Sequence, residues 1–532
     1  MTEQDMMIER MLADKKASRR DFMVGASALG VAATSASALW AGRAHAAEPK
    51  KGGHMRAGLN DSNTVDSLDP TTYNATTMIV ISRAFRDSLV EVGQDDSAAP
   101  GLAESWEASE DAKEWRFKLR PGVEFSNGKS LTTEDVINSI NLHRGEDSKS
   151  GAKGVFSGIE DVSADGKGTV VVKLADGNAD FPFLMTDYHM NIVPTVDGKA
   201  DPFSTHGTGC YNLTEFEPGI RAALEKNPNS WQSGEFGYVD SCELVTILDD
   251  TARVNALMTN DVDVINRPEM KTIGRLKRVP TVNIIDVESN LAFTHPMRTE
   301  GAPFDNIDFR LALKHATNRE AFVEKVLFGY GTVGNDQPIG PKMASYDPNL
   351  TVDFDLDKAA YHLKKSGVGD AAIKYQFADT AYSGASDAAQ IFLEDWTKAG
   401  INVGLQKEPK DGYWSNVWNV QPFCACYWGP RPVEDMILSI AYLGGAEWND
   451  TNIDIASVNA LVIAARAELD QKKRTDMYQT VQHILSTRGA TIVPAFGKDI
   501  AAANTKVGVP AKLGGGWEMD GGHFIKRWWM NA

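Results

Sequence analysis

The segment Tyr427-Trp428-Gly429-Pro430-Arg431-Pro432 gathers the side chains best suited to recognising a small molecule. Arg431 offers a planar fork of N–H donors that matches a carboxylate or phosphate and repels an ammonium. Tyr427 and Trp428 add flat amphipathic surface. Two blander accounts stand beside this one. Glu434 and Asp435 follow closely enough to pair with Arg431 in a surface ion pair of little consequence, and Trp428 suits core packing as well as it suits stacking. Covalent chemistry finds no comparable foothold: the chain contains no Gly-x-Ser-x-Gly, no His-Glu-x-x-His and no phosphate loop. Cys424 and Cys426 are too close for an easy mutual bridge and lack further metal ligands nearby, so they read as buried structural thiols. Cys210 and Cys242 both lie in strand-like runs and form a candidate disulfide whose geometry the spacing cannot supply. No catalytic residue, metal or cofactor is expected.

The elements that must hold such a site belong to a mixed α/β chain. His54 to Leu59 reads as a strand, followed by a polar loop in which Asn63 and Thr64 are weak ligand candidates. Met78 to Val90 has helical spacing of apolar residues, and Glu114 to Leu119 alternates with the period of a half-buried strand. Thr132 with Asp135 three residues later is a capping box for a helix running to Arg144. Asp249 to Thr259 and Asp308 to Phe328 read as helices. Ile373 to Phe377, Ala388 to Lys398 and Ile401 to Leu405 form a strand–helix–strand unit. Phe423 to Tyr427 is strand-like and leads into the Arg431 segment. Ser457 to Leu469 and Gln471 to Ser486 are two amphipathic helices broken at Asp470, and Trp448 and Asn449 just before them are further weak candidates.

A chain of 532 residues exceeds one compact core and implies several domains. A net charge of −18 argues against nucleic acid or anionic lipid as a general partner. Ser18-Arg19-Arg20-Asp21-Phe22-Met23 precedes an uncharged run to Gly42, then Arg43 and Ala44-His45-Ala46. That pattern reads as a twin-arginine export signal cleaved near Ala46. The run is diluted by glycine, serine and threonine, which makes it a poor permanent anchor. The mature protein is expected in the periplasm as a monomer.

Several segments resemble the peptide/opine/nickel family (family 5) of bacterial solute-binding proteins of ABC importers. They are Pro100-Gly101-Leu102-Ala103-Glu104-Ser105-Trp106, Trp115 through Phe125 and on through Asn127-Gly128-Lys129 to Val136, and Gly207-Thr208-Gly209-Cys210-Tyr211 with Glu225-Lys226-Asn227-Pro228 and Trp231. Pro303-Phe304-Asp305-Asn306 with Phe309 to Leu313 and Asn318-Arg319-Glu320 continues the series, and Ala464 to Asp470 with Lys473-Arg474 ends it. The order is the family's, although the family more often has proline where Cys210 stands.

The resemblance implies a periplasmic-binding-protein type II-like two-lobed fold with an extra domain inserted in the first lobe. Residues 53–82, 193–289 and 499–532 would form lobe I, 83–192 the inserted domain and 290–498 lobe II, after a signal at 1–46. It also implies closure on a solute held in the interlobe cleft and delivery to an ABC permease with its ATPase. On that layout Tyr188 and His189, where the inserted domain returns, become cleft-rim candidates, although a lone histidine is more often structural. Asn290 and Phe293 fall at the crossing into the second lobe and belong to the hinge or the cleft. In peptide-binding relatives an aspartate for the peptide's ammonium stands where this chain has Arg431, which favours an opine-like, carboxylate-bearing solute over a plain peptide. A nickel-type metal-chelate receptor is the alternative of the same fold. A twin-arginine-exported cofactor enzyme and a peptide-holding chaperone or sensor are alternatives of other kinds.

Overall fold

The structure, a computed structural model, describes residues 48–409, 413–446, 448–514 and 516–531. The twin-arginine segment and its cleavage point near Ala46 lie outside the described residues. Nine strands form the largest sheet among the described residues. In chain order they are β1 (His54–Leu59), β2 (Tyr211–Glu217), β3 (Arg221–Lys226), β4 (Ser241–Thr246), β5 (Val264–Asn266), β6 (Val282–Pro296), β7 (Gly331–Val333), β8 (Cys426–Trp428) and β9 (Thr491–Asn504). They lie in the order β2-β3-β4-β1-β5-β9-β6-β8, with β7 also pairing β9. β1 runs parallel to β4 and β5, and the remaining pairs are antiparallel.

The long strands β6 and β9 tie the molecule together. They pair from Val282↔Asn504 to Pro296↔Thr491, and the ladder is interrupted between Glu288 and Ala292. At one end Ala501 and Ala503 pack with Met55, Ala57, Tyr211 and Trp528. At the other, Phe293, Ile492 and Ala495 join a core with Phe322, Tyr375 and Trp396, while Ala292, Val493 and Phe496 join Trp428, Val462 and Tyr478. A separate core gathers Trp115, Phe117, Val136, Val172 and Phe181 around the four-stranded sheet that contains Glu114–Leu119. Apolar burial, the dominant favourable term in folding, is thus divided among several centres, three of which share residues of the β6–β9 ribbon.

Local chemistry explains several element boundaries. Thr132 accepts a hydrogen bond from the Asp135 N–H while Asp135 accepts from the Thr132 N–H, closing the expected capping box on Thr133–Asn141. Ile373–Phe377 and Val403–Lys407 pair in parallel across the helix Ala385–Lys398. Asp470 caps Gln471–Arg488 through the N–H groups of Lys472 and Lys473. Other expectations needed correction. The helix expected over Met78 to Val90 is Thr76–Phe85, after which Arg86 turns extended. The single helix expected over Asp308 to Phe328 is two, Ile307–His315 and Arg319–Lys325, because the Asn318 side chain accepts the Ala321 N–H and starts a new helix.

Cys210 and Cys242 do not form the anticipated disulfide; both are free and buried. Strand β3 stands between them, since Leu224 pairs with Leu213 on one side and with Cys242 on the other. Two interstrand spacings make roughly 10 Å, beyond the ~7 Å reach of a disulfide. The Cys210 thiol instead donates to Gln232 Oε1 at 2.9 Å, and burial pushes its pKa up to about 12. No helix among the described residues is long and apolar enough to cross a membrane.

Candidate functional site

Strand β8 leads straight into the Arg431 segment and is itself held by β6, where Ala292 pairs with Trp428 and Phe293 with Tyr427. Asn290 fixes the other end of the loop. Its Nδ2 donates to the Arg431 carbonyl at 3.1 Å and its Oδ1 accepts the Lys342 N–H at 2.9 Å. It is buried, so it positions the loop rather than meeting a solute. It also occupies the gap in the β6–β9 ladder, which ties the Arg431 backbone to that interruption.

The Arg431 side chain is half-buried and has no acid partner within 4.0 Å among the described residues. Its Nη1 donates to the carbonyls of Gly429 and Pro430, at 3.1 and 3.2 Å. The two acids that could have neutralised it are engaged elsewhere. Glu434 accepts the Ser345 N–H at 2.7 Å, and Asp435 takes both oxygens to Arg466 Nε at 3.1 Å. Burial lowers the Arg431 pKa from its ordinary value, against the pull of Tyr188, Asp187 and Tyr427. Partial burial of an unpaired cation is costly, and an incoming anion relieves that cost.

Within electrostatic range of it lies the loop 186–191. Asp187 accepts from His189 Nδ1 at 2.6 Å and from the His189 N–H at 2.9 Å. Burial would raise the Asp187 pKa, but the His189 hydrogen bond and charge outweigh it and hold the carboxyl below its usual range. Tyr188 stacks against His189 at 4.2 Å and packs beside Trp517 at 5.6 Å between ring centroids. Burial, reinforced by Asp187, pushes the Tyr188 phenol up to about 12. His189 is buried and serves to orient Asp187, so its assignment to the cleft rim is corrected to a supporting role.

The remaining candidates scatter. Phe293, expected at the hinge or the cleft, packs in the core on Tyr382 and Phe322, at 5.0 and 5.6 Å. Asn449 is likewise structural, since its Nδ2 donates to the carbonyls of Leu443 and Ile453 and its Oδ1 accepts from Thr451. Asn63 borders a separate groove of about 370 Å³ with Thr72, Tyr73 and Met78, and Thr64 packs near Gly219 at the β2–β3 turn. Trp428 is buried, while Trp448, against it at 6.2 Å, is exposed.

Sequence reasoning missed Trp414, Trp418, Trp517 and Asp450. Trp418 Nε1 donates to Asp450 Oδ2 at 3.0 Å. The available signal was density: four of the chain's twelve tryptophans fall between positions 414 and 448. Among the described residues no group of three or more His, Cys, Asp or Glu side chains is placed to hold a metal ion.

Known proteins with this architecture are numerous. AgaA from A. tumefaciens R10, in complex with agropinic acid, superposes with a TM-score of 0.72 at 21% identity, over 90% of this chain and 99% of that one. The dipeptide-binding protein of Escherichia coli (strain K12) is 24% identical over 469 residues, 80% of this chain and 85% of its own length. Heme-binding protein A of Haemophilus influenzae is 25% identical over 487 residues, 83% of this chain and 86% of its own length. The structural likeness identifies the mixed α/β, two-lobed fold with an insertion. Residues 97–450 match the family described as bacterial extracellular solute-binding proteins, family 5 Middle. With that match covering well over half of its length, the chain belongs to this family: it is a periplasmic or extracellular receptor of an ABC importer, which binds a small solute, works with a membrane permease and catalyses no reaction.

Proposed function

We propose that this receptor captures a small, carboxylate-bearing solute derived from an amino acid, of the opine or peptide-like kind, in the cleft between its lobes. Arg431 pairs with the acid group, and the loop carrying Tyr188 closes over it from the opposite side. Export follows the twin-arginine route with cleavage near Ala46, and the ribbon of β6 and β9 near Asn290 serves as the hinge. The observation that carries the reading is the Arg431 guanidinium itself, half-buried, without an acid partner among the described residues, and within electrostatic range of Asp187 and Tyr188. A cation so placed would repel the ammonium end of a solute and attract its carboxylate.

The test begins with a thermal-shift screen of dipeptides, N-carboxyalkyl amino acids and their uncharged amides, because a solute that binds the folded state raises the melting temperature. Calorimetry on the hits then compares wild type with Arg431→Ala and Arg431→Lys. Loss of a charge-assisted hydrogen bond is expected to weaken binding by about tenfold or more in the alanine variant, with partial recovery in the lysine variant. Unchanged affinity in Arg431→Ala overturns the assignment.

A further inference from the structure

Beside Arg431 the second lobe displays more aromatic surface than its core requires. Tyr427, Trp414, Trp418, Trp448 and Trp428 form a continuous run, with successive ring centroids 5.7, 6.0, 6.0 and 6.2 Å apart. The inner members are anchored, since the Trp418 indole donates to the buried carboxylate of Asp450 at 3.0 Å and Trp428 is itself buried. The outer members remain open: Trp414 is 38% exposed, Tyr427 42% and Trp448 46%. Single exposed aromatics are ordinary on protein surfaces. Three in one run, with neighbouring rings set edge to face at 69°, 75° and 76° and Trp418 beneath them fixed by a buried carboxylate, make a rigid apolar surface of ring faces and edges.

We propose that Trp414, Tyr427 and Trp448 are a stacking wall that selects solutes carrying a flat conjugated ring, the ring lying on the wall while the acid group reaches Arg431. This deepens the reading of Arg431 as the anion contact and rests on it. Charge and shape agree: Arg431 folds its Nη1 back onto the Gly429 and Pro430 carbonyls, directly after Tyr427 and Trp428, so the cation lies at the end of the wall. An offset or edge-on aromatic contact favours a flat ring over a saturated one of similar size. The ligand chemistry that fits both parts is an aromatic or heteroaromatic carboxylate, or an amino-acid derivative carrying such a ring.

Three probes separate the parts: 2-naphthoate, its fully saturated decahydro counterpart, and 2-naphthylmethanol, which has the ring without the acid. Binding to the full mature chain is followed by calorimetry and by quenching of tryptophan fluorescence. The expected result is that 2-naphthoate binds about three- to tenfold more tightly than the decahydro acid. Trp448→Leu and Trp414→Leu should each reduce that ratio while leaving the decahydro acid nearly unaffected, and Trp448→Phe should retain most of it. The leucine and phenylalanine pair guards against a folding defect, since a misfolded variant would lose both acids together. Equal binding of the two acids, no binding of 2-naphthoate, or a ratio that survives both leucine substitutions overturns the wall. Equal binding of 2-naphthoate and 2-naphthylmethanol, with the ring preference intact, overturns the Arg431 reading and leaves the wall standing.

Discussion

At the scale of the residue, the side chains around Arg431 differ in what they trade. Asp450 is fully enclosed, and burial pushes its carboxyl up to about 6 despite the hydrogen bond from Trp418 and the more distant charge of Arg298. A folded-state pKa above the unfolded value means that the folded protein holds the proton more tightly. The stability Asp450 contributes is therefore complete below about pH 4 and is lost as the pH rises through about 6. Asp450→Asn, neutral at every pH and still able to accept an indole N–H, is expected to be more stable than wild type by about 1–3 kcal/mol at pH 8. The gap should close near pH 4 in chemical denaturation, and a gap independent of pH contradicts the assignment. Legibility at this scale was uneven. Arg431 and Trp448 stand out as candidates because residue type and local company suffice to suggest recognition. The packing of Phe293 and Asn449 was not legible, because their burial is set by partners such as Tyr382 and Leu443, which only the tertiary fold supplies.

At the scale of the element, caps and punctuation decide where helices begin. Asn318 interrupts what apolar spacing alone joins into one helix, and its side chain holds the Ala321 N–H at 2.9 Å. Asn318→Ala is expected to destabilise the protein by about 1 kcal/mol, the usual cost of a lost N-cap, measured as a shift in the denaturant midpoint at constant slope. No shift contradicts the capping account. The capping box at Thr132 and Asp135, the strand Glu114–Leu119 and the break at Asp470 were all readable because the interactions that make them are local. The split at Asn318 was also local, but its signal was outweighed by the periodic apolar residues on either side. The Cys210–Cys242 pairing failed for the opposite reason: strand order, which inserts β3 between β2 and β4, is a long-range property.

At the scale of the whole molecule, one ribbon connects halves that also meet away from it. Asp180, beside the core that contains Phe181, forms a buried ion pair with Arg474, and the Ala179 N–H donates to the Arg466 carbonyl at 2.7 Å. Lys342 reaches Asp96 at 2.6 Å. Under the proposed lobe boundaries, opening parts these contacts, so a solute that touches both sides draws on the same free energy that closes them. The tryptophan run and Arg431 then determine which solute can do so.

That account is tested most directly by native mass spectrometry of the mature protein purified without added ligand, alongside Arg431→Ala prepared identically. The expected spectrum shows wild type carrying a small molecule, recovered unchanged after release and prolonged incubation, that bears at least one carboxylate and is depleted in the variant. A released molecule that is chemically altered by the protein, or one that lacks an acid group and is equally abundant on Arg431→Ala, contradicts it.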